Sequence, residues 1–341
     1  TGLVTMVVGA KIALFKDDLK ALLAFSTVSH LGLITMLLGF GTKIAAVTAV
    51  FHIINHATFK AALFMSAGIV DHETGTRDIK RLGGLRKLMP ITFAMVTLAS
   101  LSMAGIPPLN GFLSKEMMLE EAAHTVWWHS HYLLPALVVL GALFSAAYSF
   151  RLIAHTFLGP QRNDYPAHPH DPGPGLWLSP AILVSLVVLI GLFSKAIAGP
   201  IVAVASQAVI GDAELPYYSL KIWHGFTPAL YMSAFATVAG LFLLWQHKPL
   251  ERLWNALPRP EAKTIFEALI AMLVRASERL TNALHDGSLT RYAGIFVVFV
   301  FGMASYAYFT GNAPAHIKPL GDLGPLAVMG WVCLVVSASC V

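Results

Sequence analysis

The stretch Ser102–Leu119 reads "SMAGIPPLNGFLSKEMML". It lies inside an apolar segment, 90–123, that is longer than the roughly 20 residues a helix needs to cross a bilayer. Gly105, Pro107, Pro108 and Gly111 predict a break in the helix near the middle of that segment. Unwound backbone at membrane depth is tolerated only where it lines a cavity or is buried in protein. Transporters place such broken helices at their ion sites. Lys115 and Glu116 follow the break directly. The alternative is two short helices around a surface loop, but a basic and an acidic residue in apolar surroundings favour the ion-site reading.

Composition supports the membrane setting. Of 341 residues, 56% are hydrophobic and 12% charged, against roughly 45–50% and about 25% in a soluble domain. Candidate spans are 1–15 (partial), 20–40, 44–70, 90–123, 133–158, 177–198, 225–246, 289–309 and 325–341 (partial). Their lengths predict helices, because a closed barrel would show short alternating strands. The expected fold is therefore an all-α integral membrane protein. It is a polytopic helical bundle with a discontinuous transmembrane helix and an amphipathic helix on the cytoplasmic side. Both ends are apolar and neither looks like a signal peptide, so the chain is expected to be a piece of a longer protein. Cys333 and Cys340 sit in an apolar run, too few for a disulfide framework or a four-thiolate metal site.

Loop charges predict the orientation. Arg77, Lys80, Arg81, Arg86 and Lys87 crowd one loop. Lys248, Arg252, Arg259, Lys263, Arg275, Arg279 and Arg291 fall within 246–291. The alternating loops are poor, with no Lys or Arg in 124–132 and only Lys318 in 310–324. The basic loops are therefore expected on the cytoplasmic side. Trp127, Trp128 and Tyr132 would then form an aromatic belt at the opposite interface. Segment 261–285 places Ile265, Leu269, Leu273, Ala276, Leu280 and Leu284 at helical spacing, predicting a surface or partner-facing amphipathic helix. Pro258 and Pro260 precede it and Gly287 ends it. His168 and His170 lie in a Pro-rich loop, where solvation is a simpler account than a metal site.

Charged groups at the bilayer centre cost about 2.5–3.5 kcal/mol on insertion scales, so such residues usually face the bundle interior. Within "FHIINHATFK" (51–60), His52, His56 and Lys60 line one helical stripe over about 12 Å. Asn55 and Thr58 add polarity nearby. Hydrogen-bonded packing, a proton path and zinc ligation are the alternatives. A proton path is favoured because three titratable groups share one register and no acidic or Cys ligand accompanies them. A second cluster follows Lys16, Asp17 and Asp18, which look like a helix start. It comprises Lys20, Ser26, Thr27, Ser29 and His30. Lys20 taken alone is as readily a snorkelling residue. Lys20, His52, His56, Lys60 and Lys115 together can form a proton relay, since desolvation and neighbouring charge bring a lysine within reach of titration and histidine titrates near neutrality.

"DLKALLAFSTVSHLG", "FHIINHATFKAALFMSAG", "GGLRKLMP" and "GIPPLNGFLSKEMML" resemble consecutive motifs of the antiporter-like, proton-pumping membrane subunits. These occur in respiratory complex I and in the Mrp-type cation/proton antiporters. The resemblance spans roughly residues 1–160. "GIVDHETGTRDIKRLGGL" and "YYSLKIWHGFTPALYMS" resemble the large A-type subunit of the Mrp antiporters, as does a tail that continues beyond a short amphipathic helix. The resemblance implies relay roles for Lys20, for the central His52, His56 and Lys60, and for Lys115 on the broken helix. Glu116 takes the place of an acidic neighbour. His30 stands where relatives often carry Gln; it either adds a titrating group, with Ser26 and Thr27 nearby, or keeps a hydrogen bond. The family's glutamate–lysine pair on earlier helices has no counterpart here.

The expected function is proton translocation in a multisubunit Na⁺ or K⁺/H⁺ antiporter of a bacterial plasma membrane. Expected partners are other membrane subunits, the transported ions and lipid, with no nucleic acid, cofactor or metal. A subunit of a complex I-like or hydrogenase-type redox complex is the first alternative, and an inactive scaffold the second. The expected division is a proton-channel core at 1–158, further spans at 159–246, an amphipathic linker at 247–288, and the start of a second membrane domain at 289–341. No compact cation site is visible, and Asp71 and Glu73 at a helix end read as solvated.

Overall fold

Short polar residues start the first long helices. Asp18 accepts a hydrogen bond from the Ala21 amide at 2.8 Å and caps one helix; Thr42 accepts from the Ala45 amide and caps the next. Gly75, in the left-handed conformation, ends the latter. The structure is a computed structural model that describes residues 1–162, 164–212, 214–256, 262–284, 287–310, 325 and 328–332. Cys333 and Cys340 lie outside the described residues, as do Pro258, Arg259, Pro260, Lys318 and most of the expected final span.

The chain forms two compact units, Thr1–Leu257 and Pro258–Val341. The first holds α1 (Gly2–Leu14), α2 (Leu19–Leu38), α3 (Lys43–Thr74), α4 (Pro90–Ala104), α5 (Asn110–His124), α6 (Leu133–Phe157), α7 (Pro174–Leu192), the single turn α8 (Ser194–Ile197), α9 (Gly199–Ile210), α10 (Pro228–Trp245) and α11 (His247–Ala256). The second holds α12 (Ala262–Leu284) and α13 (Leu289–Thr310). Among the described residues, α2, α3, α6, α7, α10 and α13 are long and apolar enough to cross a membrane. This is a multi-pass, all-helical membrane protein. The predicted break separates α4 from α5.

Within the first unit, α3 is the hub, packed by α2, α4, α5, α7 and α9, while α6 packs against α1, α4 and α10. The α1–α2 contact is very close. A Cβ at Gly2 would lie 2.4 Å from the Met36 nitrogen, and one at Gly32 would lie 2.5 Å from the Met6 nitrogen. The apolar segment expected at 177–198 ends earlier, because Phe193 leaves the helical conformation. Gly199 and Pro200 then start the short α9.

Backbone bonds gather the basic loops at one end. The Leu19 amide donates to Arg77, Ile79 to Asp17, Gly84 to Leu158, and Ala167 to Thr74. At the opposite end Thr42 bonds Glu121, and Lys43 pairs with Asp212 at 2.5 Å. Within the first unit, the basic loop at 77–87 thus lies at the end opposite Thr42 and Lys43. Trp128 and Tyr132 are 79% and 84% exposed.

An ionic knot ties the basic end. Arg151, only 1% exposed, donates to the carbonyls of Leu14 at 2.8 Å and Lys16 at 2.5 Å, and to the Asp17 carboxylate at 2.6 Å. Lys80 bridges Asp17 at 2.8 Å and Glu251 at 2.7 Å, and Arg77 pairs with Asp18. Burial raises the Asp17 pKa, but hydrogen bonds from Lys80 and Arg151 outweigh it and hold the carboxyl below its ordinary value. The bonds to Asp17 and Glu251 push Lys80 up. Burial first, then the Arg151 charge, lowers His247. Trp254 of α11 stacks on Phe15 with ring centroids 4.8 Å apart. Residues 247–256, expected to form part of the linker, therefore pack on the first unit.

In the second unit, α12 is the amphipathic helix that the spacing predicts, with Ile265, Leu269, Leu273, Ala276 and Leu280 all exposed.

Candidate functional site

The four-residue spacing in α3 does place His52, His56 and Lys60 on one side. His52 is fully buried and Lys60 is 4% exposed. The groups that join them come from three other elements. His30 of α2 sits opposite the stripe, its Nδ1 2.9 Å from His52 Nε2, with the rings near parallel. His52 Nδ1 is 2.9 Å from Ser114 Oγ of α5. His30 Nε2 is 3.1 Å from the Tyr148 hydroxyl of α6, and Tyr148 is 3.0 Å from Ser145 Oγ. Lys115 Nζ donates to that same Ser145 oxygen at 2.9 Å.

These contacts form one unbroken chain: Lys115, Ser145, Tyr148, His30, His52, Ser114. Its direction follows from the donor inventory. An ammonium at Lys115 can only donate, so one consistent assignment has Ser145 donating to Tyr148 and Tyr148 to His30 Nε2. His30 Nδ1–H then donates to His52 Nε2, and His52 Nδ1–H to Ser114. Reversing every donor gives the other direction and requires Lys115 as the neutral amine, whose lone pair then accepts from Ser145. The row can therefore pass a proton by successive transfer and be reset by rotation of its hydroxyls and exchange of its tautomers.

The break shapes the Lys115 end. The first carbonyls left free at the α4 terminus are used as acceptors. Lys115 Nζ donates to Met103 at 2.5 Å and Ala104 at 3.2 Å. Gly105 has φ +90°, and Gly111 lies so close to Ser102 that a Cβ would come within 2.0 Å of its carbonyl oxygen. Ser102 Oγ accepts from the Gly111 amide and donates to Asn110 Oδ1 at 2.6 Å. Asn110 in turn donates to Thr58, and Asn55 donates to the Asn110 carbonyl. Asn55 and Thr58 thus hold the break against α3.

Lys60 forms a branch beside the chain. Its Nζ donates to Ser26 Oγ at 2.6 Å and lies 3.2 Å from Met103 Sδ. Met103 therefore touches both buried lysines. His56 stands within 5.2 Å of the His30 ring, centroid to centroid, and its Nε2 has no hydrogen-bond partner.

Three expected positions lie elsewhere. Lys20 is not in the row; it pairs with Asp71 at 2.6 Å near the basic end, where both side chains are partly exposed. Thr27 spends its hydroxyl on the Leu23 carbonyl of its own helix. Glu116 is buried but its polar neighbours are Glu120 and Thr227, because successive helical side chains diverge by about 100°. Glu73 is also buried rather than solvated, 2.9 Å from His72 and 3.3 Å from His170. Among the described residues, no group of three or more His, Cys, Asp or Glu is disposed to hold a metal ion.

Ser114, Ser145, Tyr148 and Arg151 are absent from the set that the sequence predicts. An arginine inside the apolar "AAYSFRLIAH" is a legible signal. Serine and tyrosine in a membrane helix are too common to be one.

A discontinuous helix with a buried lysine, set against a histidine-bearing helix in a bundle of apolar spans, defines a polytopic membrane protein with an ionisable interior. Residues 1–145 match the family described as NADH:quinone oxidoreductase/Mrp antiporter, TM. The chain is 47% identical over 243 residues to the probable A/B subunit of a K(+)/H(+) antiporter from Rhizobium meliloti (strain 1021), covering 71% of this chain and 24% of that protein. It is 35% identical over 338 residues to the A-type subunit of the Na(+)/H(+) antiporter from Alkalihalophilus pseudofirmus, covering 92% of this chain and 42% of that protein. Its fold matches a chain of the Mrp complex from Dietzia sp. DQ12-45-1b with a TM-score of 0.77 and 33% identity, over 99% of this chain and 36% of that one. The chain thus spans less than half the length of each of these relatives.

Proposed function

We propose that this chain is the proton-translocating part of a large antiporter subunit, working with other membrane subunits in a bacterial plasma membrane. It admits protons down their gradient and couples their passage to export of Na⁺ or K⁺. The observation that supports this best is the unbroken row from Lys115 through Ser145, Tyr148, His30 and His52 to Ser114. A row fully buried among apolar helices has no structural need for so many titratable groups. Lys60 and His56 act beside it, Lys60 setting the local positive charge. Lys20, paired with Asp71, stands at the basic end as a gatepost rather than a relay member.

Loss of the Lys115 ammonium removes the donor that sets the direction of the row. In the assembled full-length complex, Lys115→Ala is expected to abolish cation/proton exchange while leaving the subunits associated. Normal exchange in that variant would refute the relay. The rival reading, a subunit of a redox-linked pump, makes a different forecast: the copurifying partners would carry redox centres, and proton movement would follow electron transfer instead of a cation gradient.

A further inference from the structure

The apolar segment that begins with α7 is interrupted, as α4–α5 is, and at the same depth. Asp171 accepts from the Ile91 and Thr92 amides, so α7, which begins three residues later at Pro174, starts level with α4. It ends beside the first break, where a Cβ at Gly191 would come within 2.2 Å of the Pro108 carbonyl oxygen. Phe193 then leaves the helical conformation, with φ −124° and ψ 41°. α8 and α9 carry the chain on to Asp212, which pairs with Lys43 at the end opposite the basic loops. On that course Ala198 and Val202 pack with Val47 and Phe51 of α3. Lys195 follows the second break directly. It is exposed, and among the described residues no carboxylate pairs with it.

The helical rise from Lys195 to Ile210 is about 22 Å, too far for a lysine stem to carry its ammonium to the outer interface. Around it Leu189, Leu192, Phe193, Ile201 and Val204 are all exposed. Acyl chains can cover these apolar side chains, but an ammonium at that depth needs acceptors. Irregular backbone at membrane depth is likewise stable only against protein or water, and Phe193, at the break itself, is 58% exposed. We propose that this face receives a transmembrane helix of a neighbouring subunit, and that a carboxylate on that helix, level with the α4–α5 break, pairs with Lys195. A carboxylate fits because it supplies acceptors and cancels a charge that lipid cannot solvate. The same helix covers Phe193 and shields the carbonyls freed where α7 ends. The inference rests on the multisubunit part of the reading above and is independent of the relay.

The test uses the whole purified complex. With Phe193 replaced by a photoreactive benzoyl-phenylalanine, illumination is expected to join this chain to a membrane helix of another subunit. Mass spectrometry of the adduct should then find a carboxylate within about one helical turn of the attachment point. Lys195→Met is expected to weaken retention of that subunit in detergent about 10²-fold, as loss of one partner of a buried ion pair does, whereas Lys195→Arg retains it. Lys195→Glu is expected to release the subunit, and changing the located carboxylate to Lys to restore it. Adducts to lipid alone or to this chain alone, in a complex that holds its other subunits, overturn the docking and leave the proposed function standing. Wild-type retention in both Lys195→Met and Lys195→Glu also overturns it. A wild-type chain that purifies without other subunits would instead refute the multisubunit reading itself, and the docking with it.

Discussion

Gly105 makes room for Lys115: a Cβ at Gly105 would stand 2.9 Å from Lys115 Cδ. The glycine also has φ +90°, a backbone region that costs an L-residue about 1–2 kcal/mol. Gly105→Ala is therefore expected to destabilise the subunit by that amount and to push the ammonium off the Met103 carbonyl. Thermal unfolding of the purified complex reads the first effect and exchange in vesicles the second. An alanine variant that matches wild type in both would show that the break tolerates a side chain there.

Tyr148 is the link between the Lys115 end and the histidines. Tyr148→Phe keeps the ring and removes the hydroxyl that joins Ser145 to His30. Exchange should fall about tenfold, the equivalent of one buried hydrogen bond, with assembly unchanged. An unaltered rate would place the proton route elsewhere, with His56 the next group to test.

Arg151 holds the turn between α1 and α2 by two carbonyls and one carboxylate. Breaking a buried ion pair by removing one partner costs about 3–5 kcal/mol; the low end applies, because the Asp17 side chain is 34% exposed. Arg151→Ala should lower the melting temperature markedly. Arg151→Lys should rescue only part of the loss, since a point charge cannot serve three acceptors in the guanidinium's planar geometry.

The knot also sets a pH window. His247 is lowered from 6.5 by burial, so the unfolded chain takes up a proton there before the folded one does. Its contribution is complete above 6.5 and is lost as pH falls through the lower folded value. Lys80 has the opposite sign: raised above 10.5 by Asp17 and Glu251, it stabilises below that value and ceases to do so as pH climbs through the higher folded one. Melting curves between pH 5 and 7 should therefore flatten in His247→Gln. The alkaline limb should flatten in Lys80→Met.

The broken helix and the α3 stripe are legible because each leaves a local mark. Proline and glycine interrupt an apolar run, and titratable residues recur at four-residue spacing. Lys20 leaves a weaker mark, because its depth in α2 does not reveal that Asp71, far along the chain, pairs with it. Tyr148 and Ser145 are legible only in three dimensions, since their meaning comes from facing His30 and Lys115. The early end of α7 depends on Phe193, a residue with no helix-breaking character of its own.

The glycine contacts between α1 and α2 bear on how the subunit can move. Gly2 and Gly32 bring the two backbones together with no side chain between them, so sliding one helix past the other would drive main chain into main chain. The helix that carries His30 is thereby locked to its neighbour as a single rigid stave.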